Sequence, residues 1–332
     1  MTFATSSEFP SVWLAPMSGV TDAPFRKQVI HFGGHNVVTE MTASEQLIQS
    51  RPDVVRRTCR HDGDAKWIVQ LVGRNPVHMQ AGAALLAKAG VDMIDINMGC
   101  PSRKVTGGMS GSALMKEPDL AASIIEATLA GAGDVPVSLK MRLGWDSDTL
   151  NAPDIARYAE HAGIVQLCLH GRTRCQFYKG SADWDRIKDT VKVVSIPVIA
   201  NGDISSIDDA LSALDASGAA GIMIGRAAIG RPWLTAQFQA KLRGHAHQTP
   251  CLNQRLDSLR HLIQDAVQLY GERTGVRVCR KHIAANLQDS FSNSGEAFVR
   301  KLQRNTCTID SAQQLIDHLQ EIYSGKPDRA AA

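Results

Sequence analysis

The segment Asp95-Ile96-Asn97-Met98-Gly99-Cys100-Pro101 sets a thiol just past a short apolar run. Pro101 has no N–H to give to a β-ladder, so the strand has to stop there and the thiol is displayed on the loop. A thiol at the mouth of a buried strand can reach a bound ligand, and it can give or take a proton because it titrates near pH 8.5. Most free cysteines are small buried hydrophobes; the Asn-x-Gly-Cys-Pro setting makes Cys100 the candidate catalytic residue.

Such a thiol needs elements to hold it. Short apolar runs predict eight strands: Val12–Ala15, Val37–Thr39, Trp67–Leu71, Met93–Asn97, Val137–Met141, Gln166–His170, Val198–Asn201 and Gly221–Gly225. Their near-continuous apolar character fits strands covered on both faces, as in a parallel sheet. Helical composition fills Pro76–Ala89, Asp119–Leu129, Asp154–His161 and Ser206–Ser217. This is the rhythm of an α/β fold of the (β/α)8 TIM-barrel type. A doubly wound sheet would open with G-x-G-x-x-G after its first strand, and none follows Val12–Ala15.

Chemistry in a barrel lies where the strands give way to their following loops. Those positions hold Pro16-Met17-Ser18, Glu40-Met41, Gln70, Asn97, Cys100, Lys140, Arg142, His170, Arg172, Arg174, Tyr178, Asn201-Gly202-Asp203 and Gly225-Arg226. A ring of amide, cation, imidazole and thiol makes poor core, since buried without a ligand it leaves polar groups unpaired. The glycines after the last two strands let backbone N–H groups approach an anion at the usual phosphate site of barrels, with Arg226 adding charge.

Past Leu242 the composition shifts. Gly244–Pro250 reads as a linker, and the remainder is helical in period, with Leu252, Leu256, Leu259 and Ile263 leading the first run. The expected division is a catalytic barrel over residues 1–243 and a small helical bundle over residues 244–332. Asp310 with Gln313 predicts a capping box. On a helix over Val276–Ser290, Arg277, Arg280 and Lys281 share one side while Cys279, Ile283 and Leu287 face away; Arg300, Lys301 and Arg304 form a second basic group.

The net charge of the 332 residues is only +3, so any nucleic-acid contact has to rest on patches. The seven cysteines are widely spaced with no Cys-x-x-Cys, which argues against disulfides and against a metal site, and for a cytoplasmic location. Cys168, His170 and Cys175 lie close together in sequence and could ligate a metal, but their spacing matches zinc-ligand patterns poorly. No apolar run long enough to span a membrane is present, and Met1–Pro10 lacks the pattern of a leader peptide.

Together these segments resemble the tRNA-dihydrouridine synthases. Leu14–Asp22 looks like that family's opening motif and Asp95–Pro101 like its active-site motif. Leu139–Trp145, His170–Thr173, Pro197–Asp203, Met223–Arg226 and Arg277–His282 follow in the family's order. Glu40-Met41 and Arg280-Lys281-His282 resemble the bacterial B-type branch; Thr106-Gly107-Gly108-Met109 departs from the Asn-containing loop of that branch.

The resemblance implies FMN across the barrel mouth. Its phosphate would be held by Asn201, Gly202, Asp203, Gly225 and Arg226, and its ring lined by Pro16, Met17 and Ser18. Gln70, Lys140 and His170 would hydrogen-bond it. It implies NADPH or NADH as reductant, a D-loop uridine of tRNA as substrate, and Cys100 as the acid that protonates C5. Asn97, Arg142 and Tyr178 would contact the base, and Arg277, Arg280 and Lys281 the tRNA. A monomer is expected, since it leaves the barrel mouth open to RNA. A flavin barrel acting on a small molecule, dihydroorotate- or ene-reductase-like, would share the phosphate loops but would not need the arginine-bearing helices.

Overall fold

The computed structural model describes residues 9–60 and 65–325. Met1–Glu8, most of the segment read for a leader peptide, and residues 326–332 of the helical part lie outside the described residues.

The strands are β1 (Ser11–Leu14), β2 (Asn36–Val37), β3 (Thr42–Ala43), β4 (Ile68–Val72), β5 (Met93–Met98), β6 (Val137–Arg142), β7 (Gln166–His170), β8 (Val198–Asn201) and β9 (Gly221–Ile224). They form one parallel sheet in the order β2-β1-β9-β8-β7-β6-β5-β4-β3. Val38, next to β2, bridges Ile68 of β4 in parallel, and the Thr39 N–H donates to the Ile68 carbonyl at 3.0 Å. That bridge joins the ends of the series. The sheet closes into the expected eight-stranded barrel, with β3 as a short extra strand beside β4.

Alternation along the strands sorts the side chains. Leu14, Leu71, Ile94, Ile96, Leu139, Leu167, Leu169, Ile222 and Ile224 face outward into apolar clusters beneath the helices. The other set faces the barrel axis. Trp13, Val38, Ile68, Met93, Cys168, Ile199 and Met223 plug its interior. One step further toward the C-terminal ends of the strands, that inward set turns polar.

Helices after the strands start and stop where local chemistry dictates. Pro76–Ala89 begins with proline, is capped by Asn75 Oδ1 accepting from Val77 N–H at 2.9 Å, and ends at the left-handed Gly90. Ser206 and Asp209 make a capping box at Ile207–Ser217. No such box exists at Ala312–Tyr323, where Ser311 is the N-cap; Asp310 pairs instead with Arg280, and Gln313 with Asp317.

Among the described residues four α-helices, Leu252–Tyr270, Glu272–Ser290, Glu296–Cys307 and Ala312–Tyr323, follow the barrel. Their Leu259, Leu262, Ile263, Val276, Ile283 and Leu287 share a continuous apolar cluster with Val12, Leu14, Phe25, Ile222 and Ile224. Among the described residues, no helix is long and apolar enough to cross a membrane.

Candidate functional site

The polar inward layer opens into a cavity of about 790 Å³ at the C-terminal ends of the strands, within the range of small-molecule and cofactor sites. Pro16, Met17, Ser18, Gln70, Asn97, Cys100, Lys140, Arg142, His170, Tyr178, Asn201, Gly202, Asp203, Gly225 and Arg226 all line it. Arg277, Arg280 and Lys281 do not; they lie on Glu272–Ser290. Strand register explains the convergence, because Gln70 stands opposite Asp95, and Asn97 opposite Lys140.

A chain of hydrogen bonds rises from the barrel interior to the thiol. Ser138 Oγ donates to Asp95 Oδ1 at 2.7 Å, and Gln70 Nε2 to Asp95 Oδ2 at 2.6 Å. Gln70 Oε1 accepts from Asn97 Nδ2 at 2.7 Å. Asn97 Oδ1 then accepts the N–H groups of Gly99 at 3.1 Å and Cys100 at 2.9 Å. Asp95 can only accept while ionised, so the chain fixes both amides in one orientation. Asn97, expected to hold the base, therefore has its oxygen committed to the Cys100 loop and one N–H committed to Gln70.

Arg142 is 1 % exposed. Its Nε donates to the Gly99 carbonyl at 2.8 Å, and its Nη1 to the carbonyls of Thr173 and Phe177, each at 2.9 Å. It ties the thiol loop to the loop bearing Tyr178, whose ring it faces at 5.5 Å. Burial lowers its guanidinium to about 10, which leaves it a cation at neutral pH. Burial pushes the Cys100 thiol upward, against the smaller opposing pull of the Ser102 backbone, Arg142 and Lys140. A raised thiol keeps its proton at neutral pH, as an acid should. His170 is pushed well below its ordinary value by burial and by Arg142, Lys140, Arg172 and Arg226, so it is a neutral imidazole.

Lys140 Nζ donates to Asn201 Oδ1 at 3.0 Å, and Asn201 Nδ2 to the Met223 carbonyl at 2.8 Å. The two phosphate-loop glycines have different reasons to be glycine. Gly202 has φ +116°, and a Cβ there would sit 2.8 Å from both the His170 ring and Ala182, so protein packing demands it. At Gly225 a Cβ would meet nothing closer than Met17 Sδ at 3.7 Å and Ala15 at 3.9 Å, both on the cavity wall. The bare backbone of Gly225 thus faces open cavity. Asp203 pairs with the buried Arg172 and with Arg226 at 3.2 Å. Its carboxylate serves those arginines, and an anion would meet its backbone N–H. Sequence reasoning placed Arg172 at a strand end without a role; nothing local to it signals a partner 31 positions away.

Among the described residues, four cations (Lys140, Arg142, Arg226 and Arg231) and one carboxylate (Asp203) line the cavity. That excess suits a phosphorylated ligand. The amides of Gln70 and Asn97, the neutral His170 and the apolar Met17, Met41 and Met223 suit a planar heterocycle. The donor set therefore fits a phosphorylated planar cofactor of the flavin kind.

The helical part holds the cavity's rim. Lys281 Nζ donates to the Gly19 carbonyl. His282, pushed down to about 3 by burial and by Lys281, is neutral and stacks on Phe25 at 4.1 Å. Its Nδ1 accepts from Gly230 N–H at 3.4 Å, and its Nε2 lies 3.2 Å from the Val20 carbonyl, which makes Nε2 the protonated nitrogen. Asn286 Nδ2 donates to the Gly230 carbonyl at 2.7 Å. Arg280 bonds the Ile309 carbonyl and Asp310. Of the three basic residues expected to face RNA, two engage the protein itself; Arg277 is exposed.

The family model for dihydrouridine synthase (Dus) matches residues 13–323. A probable tRNA-dihydrouridine synthase of Rhodobacter capsulatus is 48 % identical over 276 residues, covering 82 % of this chain and 85 % of the relative. A tRNA-dihydrouridine synthase B of Vibrio cholerae is 39 % identical over 314 residues, covering 93 % and 94 %. Among solved structures, a variant of NCR from Zymomonas mobilis shares the fold with TM-score 0.50 and 18 % identity, over 74 % of this chain and 90 % of that one. A 6-hydroxypseudooxynicotine amine oxidase of Pseudomonas geniculata does so with TM-score 0.52 and 13 % identity, over 82 % and 52 %. With a model match spanning nearly all of its length and relatives of this identity, the chain belongs to the dihydrouridine synthase family.

Proposed function

We propose that the protein is an FMN-dependent tRNA-dihydrouridine synthase that reduces the C5=C6 bond of a D-loop uridine, with NADPH or NADH as the source of electrons and Cys100 as the general acid. The observation that carries this reading is the placement of a protonated thiol and a cationic, heterocycle-sized cavity in one site. The names and identities of the relatives support tRNA as the substrate.

When bound in its reduced form, FMN would supply the electron pair together with one hydrogen, as a hydride equivalent, to C6 of the pyrimidine. The backbone of Gly225 and the side chains of Arg226 and Asn201 would hold its phosphate, and Gln70, Lys140 and His170 its polar edges. The residues around the base do the rest. Cys100 gives its proton to C5 and is reprotonated from solvent. Reduction of a conjugated double bond builds negative charge on the pyrimidine oxygen, and the buried cations Lys140 and Arg142 would stabilise such charge. Arg142 and Asn97 act mainly by fixing the loop that carries the thiol. A uridine stacked in folded tRNA has to be turned out of its stack to reach this depth. The enzyme acts as a cytoplasmic monomer on this reading, its helical part giving the second hold on the RNA.

The test is to map dihydrouridine across tRNA from cells lacking the gene, then to restore the wild-type chain or Cys100→Ala. Loss of D-loop dihydrouridine that only the wild type restores is the expected result. An unchanged map in the deletion strain, or full restoration by Cys100→Ala, contradicts the reading.

A further inference from the structure

Among the described residues four non-glycine residues have positive φ, and three of them, Met109 (58°), Phe177 (56°) and Asp203 (55°), sit on the loops that carry Cys100, Tyr178 and Gly202. Asp203 has an evident reason, since its carboxylate reaches Arg172 and Arg226. Met109 and Phe177 are bulky, and the left-handed region is costly for such residues unless their surroundings over-determine it.

Phe177 is held in that way. Its carbonyl accepts from the buried Arg142 at 2.9 Å, and its N–H donates to the Arg174 carbonyl at 3.0 Å. Arg172 Nε holds the Lys179 carbonyl at 3.1 Å. Arg174 lies 4.6 Å from the Trp145 ring, which also takes Lys116 at 4.5 Å, and its Nη2 reaches Thr106 Oγ1 at 3.5 Å. The last bond joins the Phe177 loop to the Met109 loop.

The side chains held by all this are not buried. Phe177 is 40 % exposed and Met109 39 %. Folding gains nothing from forcing a phenyl ring into water through a strained backbone, so the ring serves something that arrives. Phe177 meets Tyr178 edge to face at 4.9 Å, and Tyr178 lines the cavity. Arg103, Lys104 and Lys179 are exposed on the same two loops, and neither Arg103–Ser110 nor Thr173–Gly180 contains a carboxylate. An aromatic face among cations, without acids, is how proteins grip an unstacked nucleic-acid strand.

We propose that Phe177, with Met109 on the adjoining loop, forms an apolar rim on which a nucleobase neighbouring the target uridine stacks. The inference rests on the tRNA reading above and adds the means by which the site keeps the strand open once the uridine has left it.

Phe177→Gly gives a clean test, because glycine removes the ring and relieves the backbone strain. In the flavin-loaded enzyme this variant should melt at or above the wild-type temperature and accept electrons from NADPH at the wild-type rate. Its KM for under-modified tRNA should rise roughly ten-fold or more, the scale of losing one base–aromatic stack. Phe177→Trp should keep the wild-type KM, and Phe177→Leu should resemble the glycine variant. If the wild type turns over tRNA and Phe177→Gly has the same KM, or if Leu serves as well as Trp, this inference alone falls. A wild type inert on tRNA would overturn the underlying reading and this inference with it.

Discussion

At the residue scale, Asp95 is the least expected participant. It was visible only as the first residue of the thiol motif, yet from inside the barrel it sets the orientation of Gln70 and, through it, of Asn97. Burial lifts its carboxyl from 3.8 to about 6, against hydrogen bonds from Ser138 and Gln70 and the charge of Lys140. The folded state thus binds its proton more tightly than the unfolded one. This contribution to stability is fully present below about pH 4 and is lost as pH rises through about 6. Asp95→Asn keeps both partners, with its oxygen accepting from Gln70 and its amide donating to Ser138, and carries no charge to desolvate. It should match the wild type at pH 4 and exceed it at pH 7 by about 1–3 kcal/mol. Urea denaturation at the two pH values checks this; a wild type more stable than the variant at pH 7 would contradict it. Sequence reading found the polar ring, because polar residues ending apolar runs stand out. It could not tell Asn97 as a ligand to the base from Asn97 as the cap of the Cys100 loop, nor Gly202, required by His170, from Gly225, left open. Those distinctions depend on neighbours tens of positions away.

At the element scale, the eight barrel strands were legible because each is a short apolar run between polar punctuation. The strand Thr42–Ala43 was not, being too short to show a period, and neither was the closure through Val38. The C-terminal helices were legible from their apolar spacing. Their docking was not, since Lys281 and His282 reach Gly19 and Val20 across 262 positions. This docking is tight at Gly230, which has φ +71°; a Cβ there would fall 2.5 Å from the Asn286 nitrogen and 2.6 Å from the His282 carbonyl oxygen. Gly230→Ala should therefore push Glu272–Ser290 away from the barrel, at a cost of about 2–4 kcal/mol. Ile229 and Arg231 beside it line the cavity, so the variant should also retain less flavin. Thermal melting and the visible absorbance of the purified protein measure the two effects. An unchanged melting temperature would show that the helix does not bear on Gly230 as described.

At the scale of the whole molecule, a net charge of +3 conceals a local arrangement. Cations gather where the strands end, around one cavity, while the rest of the chain is nearly balanced. The barrel supplies a rigid ring of side chains, and the helices brace the loops that form its rim. The thiol and the flavin-sized space are consequences of the same closure. The most direct measurement is a single turnover. Enzyme loaded with FMN is reduced without oxygen and mixed with under-modified tRNA, while return of the oxidised flavin band and formation of dihydrouridine are followed together. Wild type should show the two rising in equal amounts. Cys100→Ala should carry the same flavin but reoxidise at least about a hundred-fold more slowly, the usual loss when a general acid is removed. Reoxidation of Cys100→Ala at the wild-type rate, or no reoxidation of the wild type by tRNA, would contradict the assignment of this site.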